Sequence, residues 1–189
     1  MDKKELRKLY RNKRNAISEQ EVETWSIEIA NQIIKLPVWN YSYFHVFLSI
    51  IENKEVNTEF VFAILQGKNK ISCVSKSNFE TNQMTHYLLT EQTIIKKNSY
   101  NIPEPISGKE VESSEIEVVF IPLLAFDKQG NRVGYGKGFY DIFLSNCKPN
   151  VLKIGLSYFD PEDVIEGINS QDIPMDYCIT PKNIYCFKN

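Results

Sequence analysis

EVVFIPLLAFD, residues 117–127, is apolar on both of its faces and rich in β-branched and aromatic side chains. A strand with one wet face alternates; one that does not alternate belongs inside a sheet covered on both sides, the setting of a central parallel strand. Working outward, the flanks repeat a helix-then-strand order. Ser18-Glu19-Gln20-Glu21 has the spacing of a capping box, and Val22, Trp25, Ile29 and Ile33 follow at helical intervals until Pro37. Tyr43–Ile51 reads as a buried strand, Thr58 as the cap of a helix ending at Gly67, 70–75 as a strand and 84–90 as another. The polar, proline-containing stretch 96–114 reads as a long loop. After residue 127 come a glycine-rich loop, a helix from about Lys137, a strand at 153–158, a turn or helix at 161–166, and short strands at 177–180 and 185–187. Strands separated by helices predict a three-layer α/β/α fold, a Rossmann-like single domain over 1–189 with a mostly parallel central sheet, and ligands beyond the carboxyl ends of the strands.

Composition excludes several classes. With 42% hydrophobic and 24% charged residues the chain has ordinary globular proportions, and no apolar stretch is long enough for a membrane helix. The charged opening, without an apolar h-region, leads us to expect a cytoplasmic protein. Cys73, Cys147, Cys178 and Cys186 are scattered with no C-x-x-C pair, as expected of reduced thiols. A net charge of −2 argues against a nucleic-acid partner. Residues 1–16 are nevertheless basic, with Lys3, Lys4, Arg7, Lys8, Arg11, Lys13 and Arg14 against Asp2 and Glu5. Lys3, Arg7 and Arg11 share one helix face, and Leu6, Leu9 and Tyr10 offer another for docking. A monomer and a homodimer are both compatible with this composition.

GYGKGFYD, residues 134–141, fits neither G-x-G-x-x-G, which needs glycine where Phe139 stands, nor the Walker A pattern, which needs glycine at Asn131 and a hydroxyl at Gly138. Its physical content is still that of an anion-binding loop. Alternate glycines let backbone amides approach an anion and the loop opens into a helix N-terminus. Lys137 adds a mobile cation, Arg132 a forked one, and Asp141 a carboxylate suited to magnesium bridging phosphates. No G-x-S-x-G or H-E-x-x-H occurs, and the two histidines, His45 and His86, lie in strands where a core role is expected. Chemistry by anion binding and alignment suits phosphoryl transfer.

FIPLLAFDKQGNRVGYGKGFYD, residues 120–141, resembles the signature of the 5-formyltetrahydrofolate cyclo-ligase family, also called 5,10-methenyltetrahydrofolate synthetases. KKELR at 3–7, FLSIIENKEVNT at 47–58 and DIPMD at 172–176 resemble further segments of that family, in family order. The resemblance implies ATP-dependent, Mg2+-dependent closure of 5-formyltetrahydrofolate to 5,10-methenyltetrahydrofolate, with ADP and phosphate released. It implies that Lys3, Lys4 and Arg7 hold ATP from the first helix and that Arg132, Val133, Gly134, Tyr135, Gly136, Lys137, Gly138, Phe139 and Tyr140 form the ATP loop. Lys137 and Arg132 would carry the catalytic role. Tyr135 to Phe139 would also border the folate, together with Leu48, Glu55 and Tyr100, and Asp141 and Asp176 would bind magnesium. The segment between Leu48 and Glu55 is about two residues longer than the common pattern, which makes Glu52 a rival of Glu55 for the pterin. Leu123 stands where many members have glycine, Tyr100 where some have tryptophan, and Gln171 where a histidine often precedes the aspartate. A non-catalytic nucleotide- or nucleic-acid-binding module, and a family relative acting on another one-carbon metabolite, are the alternative readings.

Overall fold

The structure is a computed structural model that describes residues 1–188. Its helices are α1 (Lys3–Ala16), α2 (Glu19–Ile33), α3 (Glu59–Gly67) and α4 (Phe139–Asn146). Its strands are β1 (Tyr43–His45), β2 (Ile71–Asn78), β3 (Gln83–Leu88), β4 (Ile94–Lys97), β5 (Pro103–Ser107), β6 (Glu110–Val111), β7 (Val118–Pro122), β8 (Ala125–Phe126), β9 (Arg132–Val133), β10 (Leu152–Leu156), β11 (Tyr177–Ile179) and β12 (Ile184–Cys186). Eight strands form one sheet in the order β12-β11-β10-β7-β1-β2-β3-β6. The five strands from β11 to β2 are parallel, and antiparallel strands close both edges.

As its double-sided apolar pattern predicts, β7 lies in the interior of the sheet. Val118 and Phe120 face α2 and α3 through Ile29, Ile33, Val61 and Leu65, while Val119 and Ile121 face Phe143 and Leu144 of α4. This period-two division builds the three layers. Chain direction then selects the binding edge. From β1 the chain crosses to β2 on one side, and from β7 to β10 on the other, so β1 and β7 flank the switch point where a crevice opens at the strands' carboxyl ends.

Gly155 shows how tightly the α4 face is filled. A Cβ there would sit 2.6 Å from Leu123 Cδ2 and 3.2 Å from Cys178 Sγ. Gly155→Ala is expected to destabilise the protein by about 1–3 kcal/mol, which a lower midpoint in urea unfolding at unchanged slope would register.

Local signals explain the helices, with some corrections. The Ser18/Glu21 capping box forms in both directions, and Asp2 and Glu5 make a second one at α1. Thr58 does not cap α3: its hydroxyl donates to Phe47 O at 2.7 Å, and Asn57 Oδ1 takes the Glu59 amide instead. Tyr43–Ile51 is in the sheet only to His45; beyond it the chain departs and ends in a short 3-10 turn at Ile51–Asn53. The expected loop 96–114 instead contains most of the β4–β5 hairpin, β6 and a further 3-10 turn. Segment 161–166 forms no helix; its backbone is tied through the Asp127–Glu162 and Asp2–Glu166 bridges.

Candidate active site

A cleft of about 1550 Å3 lies over the carboxyl ends of β1, β2 and β7 and is walled by α1, the glycine loop and the β4–β5 turn. The loop is aimed by the β8–β9 hairpin behind it. Asp127 is fully buried there, yet its carboxylate accepts the amides of Gln129, Asn131 and Ile165 at 2.9–3.1 Å and the Asn131 side chain at 2.9 Å. A buried carboxylate with this many donors is a rigid tie rather than a reactive group. It fixes the turn from which Arg132 and then Gly134 leave.

Helix α1 grips the loop from the other side. Arg7, which lines the cleft, donates through Nε to Gly134 O at 3.0 Å, and its two terminal nitrogens have no hydrogen-bond partner among the described residues. Gly136 adopts φ 96°, and a Cβ there would meet Arg7 Cζ at 3.2 Å, so this glycine answers both a left-handed backbone and a close approach. Lys3 pairs with Asp172 at the cleft wall. Lys137 is exposed at the tip and makes no ion pair among the described residues. Gly138, at φ 73°, turns the chain into α4.

Arg132 is engaged differently from the expected open fork. Its terminal nitrogens donate to Asp141 Oδ1 at 2.5 Å and to Ile173 O, and the Ile173 amide returns to the same Asp141 oxygen at 3.1 Å. Burial pushes the guanidinium pKa down and the Asp141 charge opposes this. The pair thus joins β9, α4 and the 172–176 segment. Asp141 Oδ2 has no hydrogen-bond partner among the described residues and belongs to a residue that lines the cleft.

On the folate side of the expected site, Glu55 is 5% exposed. Tyr135 donates to its Oε1 and the Ile50 amide to Oε2 at 2.8 Å. Burial raises the carboxyl's pKa, and the Tyr135 and Ile50 bonds and the nearby Arg14 charge oppose that rise. Glu52, the rival, is half-exposed on the cleft rim and paired with Lys97 of β4 at 2.5 Å. Glu55 is thus held in place within the cleft, whereas Glu52 is tied up in an ion pair at its rim. Tyr100 is 64% exposed and its ring lies 4.7 Å from that of Phe79, which in turn meets Phe139 edge-on at 5.2 Å. Leu48 also lines the cleft.

Most of the expected site residues therefore converge. Three do not. Lys4 is exposed on α1 and does not line the cleft. Val133 is buried against Leu6, Tyr10 and Leu124, because a strand residue beside Arg132 must face the opposite way. Asp176 lies outside the cleft, where its Oδ2 accepts the Lys153 amide at 2.8 Å and pairs with Lys153 Nζ at 3.0 Å, while Lys188 approaches its Oδ1 at 3.5 Å. Of the acids in DIPMD, it is Asp172 that reaches the cleft. Residues the sequence reading missed are Phe79, Asp172 and Arg14. Phe79 sits in the β2–β3 turn, and an aromatic at a turn was the available signal.

His45 and His86 are both buried, linked through Ser75 Oγ at 2.8 and 2.7 Å, and His86 reaches Ser113 Oγ at 3.1 Å. Burial pushes His86 down to about 4 and His45 well below the usual imidazole range. Both are therefore uncharged near neutral pH and supply hydrogen bonds, not charge, beneath the cleft.

A parallel α/β sheet with basic side chains and a glycine loop over its switch point, facing a buried carboxylate, defines an α/β protein with an anion-binding cleft. The chain belongs to the 5-formyltetrahydrofolate cyclo-ligase family, whose pattern it matches over residues 1–181. It is 31% identical over 153 residues to the 5-formyltetrahydrofolate cyclo-ligase of Mus musculus, covering 77% of this chain and 74% of that one. The solved 5,10-methenyltetrahydrofolate synthetase of Aquifex aeolicus is 28% identical and superposes with a TM-score of 0.79, covering 100% of this chain and 94% of that chain. The fold is shared as well with the 5,10-methenyltetrahydrofolate synthetase of Mycoplasma pneumoniae, at 24% identity and a TM-score of 0.76, with 96% and 99% covered.

Proposed function

We propose that this protein is a single-domain enzyme that catalyses the ATP- and Mg2+-dependent cyclisation of 5-formyltetrahydrofolate to 5,10-methenyltetrahydrofolate, releasing ADP and phosphate. The observation that carries this reading is the convergence, in one cleft, of Arg7 and Lys137 on the glycine loop with the buried Glu55 carboxylate. Family membership over 1–181 supports it.

The formyl carbon on N5 is an amide carbon, a poor electrophile with a poor leaving group. Transfer of the γ-phosphoryl group to the formyl oxygen breaks the bond to ADP and leaves an iminium-like phosphate. The lone pair of N10 attacks that carbon, N10 loses its proton, and phosphate departs with the C–O electron pair, which gives the methenyl bridge. The ring closure is intramolecular and gains from proximity; the barrier is the phosphoryl transfer, where alignment and charge compensation dominate.

In this reading Arg7 and Lys3 hold phosphates from α1, the loop amides approach them, and Lys137 offsets charge on the transferring group. Glu55 accepts hydrogen bonds from the donor edge of the pterin, and the Phe79–Tyr100–Phe139 cluster supplies an apolar wall. Magnesium fits the free oxygen of Asp141 together with ATP's own phosphates, a donor set of one carboxylate plus substrate oxygens that suits this ion. When bound, the ion neutralises phosphate charge during transfer. Asp176, already paired with Lys153, has no part in this reading.

Purified protein with 5-formyltetrahydrofolate and Mg-ATP is expected to accumulate the methenyl chromophore in step with ADP. Absence of ATP-dependent product at high enzyme concentration would overturn the proposal.

A further inference from the structure

Arg14, at the last turn of α1, is 6% exposed, makes no ion pair among the described residues, and has a buried Nε without a partner. A buried charge without a direct counter-ion is costly and needs a reason. The reason lies in its two remaining contacts. One terminal nitrogen donates to Leu123 O at 2.5 Å, just beyond β7, and the other to the Tyr135 hydroxyl oxygen at 2.8 Å.

The direction of the resulting chain is forced by chemistry. A guanidinium can only donate and an ionised carboxylate can only accept, whereas a phenol has one proton. With Arg14 donating to the Tyr135 oxygen, the tyrosine's single proton is left for Glu55 Oε1, which lies within hydrogen-bond reach of the hydroxyl. Groups facing Glu55 from the packed elements are Arg14 of α1, Tyr135 of the loop, Tyr140 of α4, and Tyr158, whose hydroxyl donates to Glu55 O at 2.8 Å. Arg14 is the cation among them.

We infer that Arg14 is a positioning residue: its bond to the Tyr135 oxygen holds that hydroxyl against Glu55, so that the carboxyl group meets the folate ring as an oriented acceptor. The same relay ties the glycine loop to the folate wall. This inference rests on the cyclo-ligase reading and deepens it, since it names what sets the heterocycle-recognising group.

The test is a double-mutant cycle of Arg14→Met and Tyr135→Phe, with Arg14→Lys as a third variant. In Arg14→Met, KM for 5-formyltetrahydrofolate is expected to rise about 10- to 100-fold, with KM for ATP changed less than about threefold. Without the cation, Glu55 takes up a proton more readily, so the acid limb of kcat/KM for the folate moves to higher pH. Tyr135→Phe should weaken the folate similarly, and the double variant should be no worse than the worse single one, because both break one relay. Arg14→Lys keeps charge but not the fork and should fall between. Loss of ATP and folate affinity in equal measure, an unmoved acid limb, or additive single effects would each overturn the assignment; Tyr135→Phe supplies the readout should Arg14→Met fail to fold. Binding of 5-formyltetrahydrofolate by titration calorimetry without ATP separates the two ideas. Turnover with KM unchanged in Arg14→Met overturns the relay alone, folate binding without turnover in the wild type overturns the cyclisation alone, and neither binding nor turnover overturns both.

Discussion

Lys137→Ala is expected to cut kcat by about 100- to 1000-fold while the thermal midpoint stays within about 2 °C of the wild type. The two halves of this expectation have separate causes. Lys137 stands at the tip of the loop, exposed and without an ion pair among the described residues, so its removal deletes no folded-state contact of consequence. In the proposed reaction its charge offsets the charge that phosphoryl oxygens gain during transfer, and an interaction made mainly in the transition state shows in kcat more than in KM. Neutral glutamine at 137 should rescue little, arginine somewhat more. Steady-state kinetics with both substrates varied, together with a thermal melt, check it. Turnover within threefold of the wild type would mean that the phosphate does not sit over this loop.

How much of this was legible in the sequence follows from how local each signal is. The double-faced apolar run at β7 and the Ser18/Glu21 box depend on near neighbours, and both read through to the structure. Stretch 96–114 failed because Pro103 and Pro105 argue against a strand, yet both lie in β5 of an isolated two-stranded hairpin, opposite Lys97 and Ile95, where a missing amide is tolerated. Tyr43–Ile51 looked like a long strand because it is apolar throughout. Its second half is apolar for another reason: Phe47 is buried as the chain leaves the sheet to form the cleft wall that carries Glu55.

The site divides in the same way. Glycine spacing gave the loop, since backbone freedom is a local property, and the positive φ of Gly136 and Gly138 answers to it. Arg14 was invisible because its partners, Leu123 and Tyr135, lie more than a hundred residues away, and on a helix so basic one more arginine carries no signal. Asp176 and Asp172 illustrate the limit of motif transfer. Both stand in DIPMD, but the backbone of Asp176 is held between β10 and the terminal strand region by bonds to Lys153 and Phe187, which turns its carboxylate onto Lys153.

Arg132→Ala should separate from Lys137→Ala in what it breaks. Its side chain is 8% exposed against 28% for that of Asp141, and the guanidinium spans Asp141 and the Ile173 carbonyl. Removing one partner of such a buried pair strands the other, a loss of about 3–5 kcal/mol, which for a chain of this size lowers the thermal midpoint by roughly 6–20 °C. Activity should fall too, because Asp141, freed from its tether, no longer presents its second oxygen at a fixed point and the 172–176 segment that carries Asp172 loosens from the cleft wall. Arg132→Lys keeps a cation but can satisfy only one of the two acceptors well, so it should recover less than half of the lost stability. Raising Mg2+ should partly restore turnover in Arg132→Ala if Asp141 holds the ion, as the weakened site is then filled by mass action; it should do nothing for Lys137→Ala, whose defect is the missing cation at the transferring group. The comparison needs two melts and two magnesium titrations. A stable Arg132→Ala with a magnesium response identical to that of Lys137→Ala would show that Arg132 acts on phosphate directly, and the buried pair with Asp141 would then be dispensable for the fold.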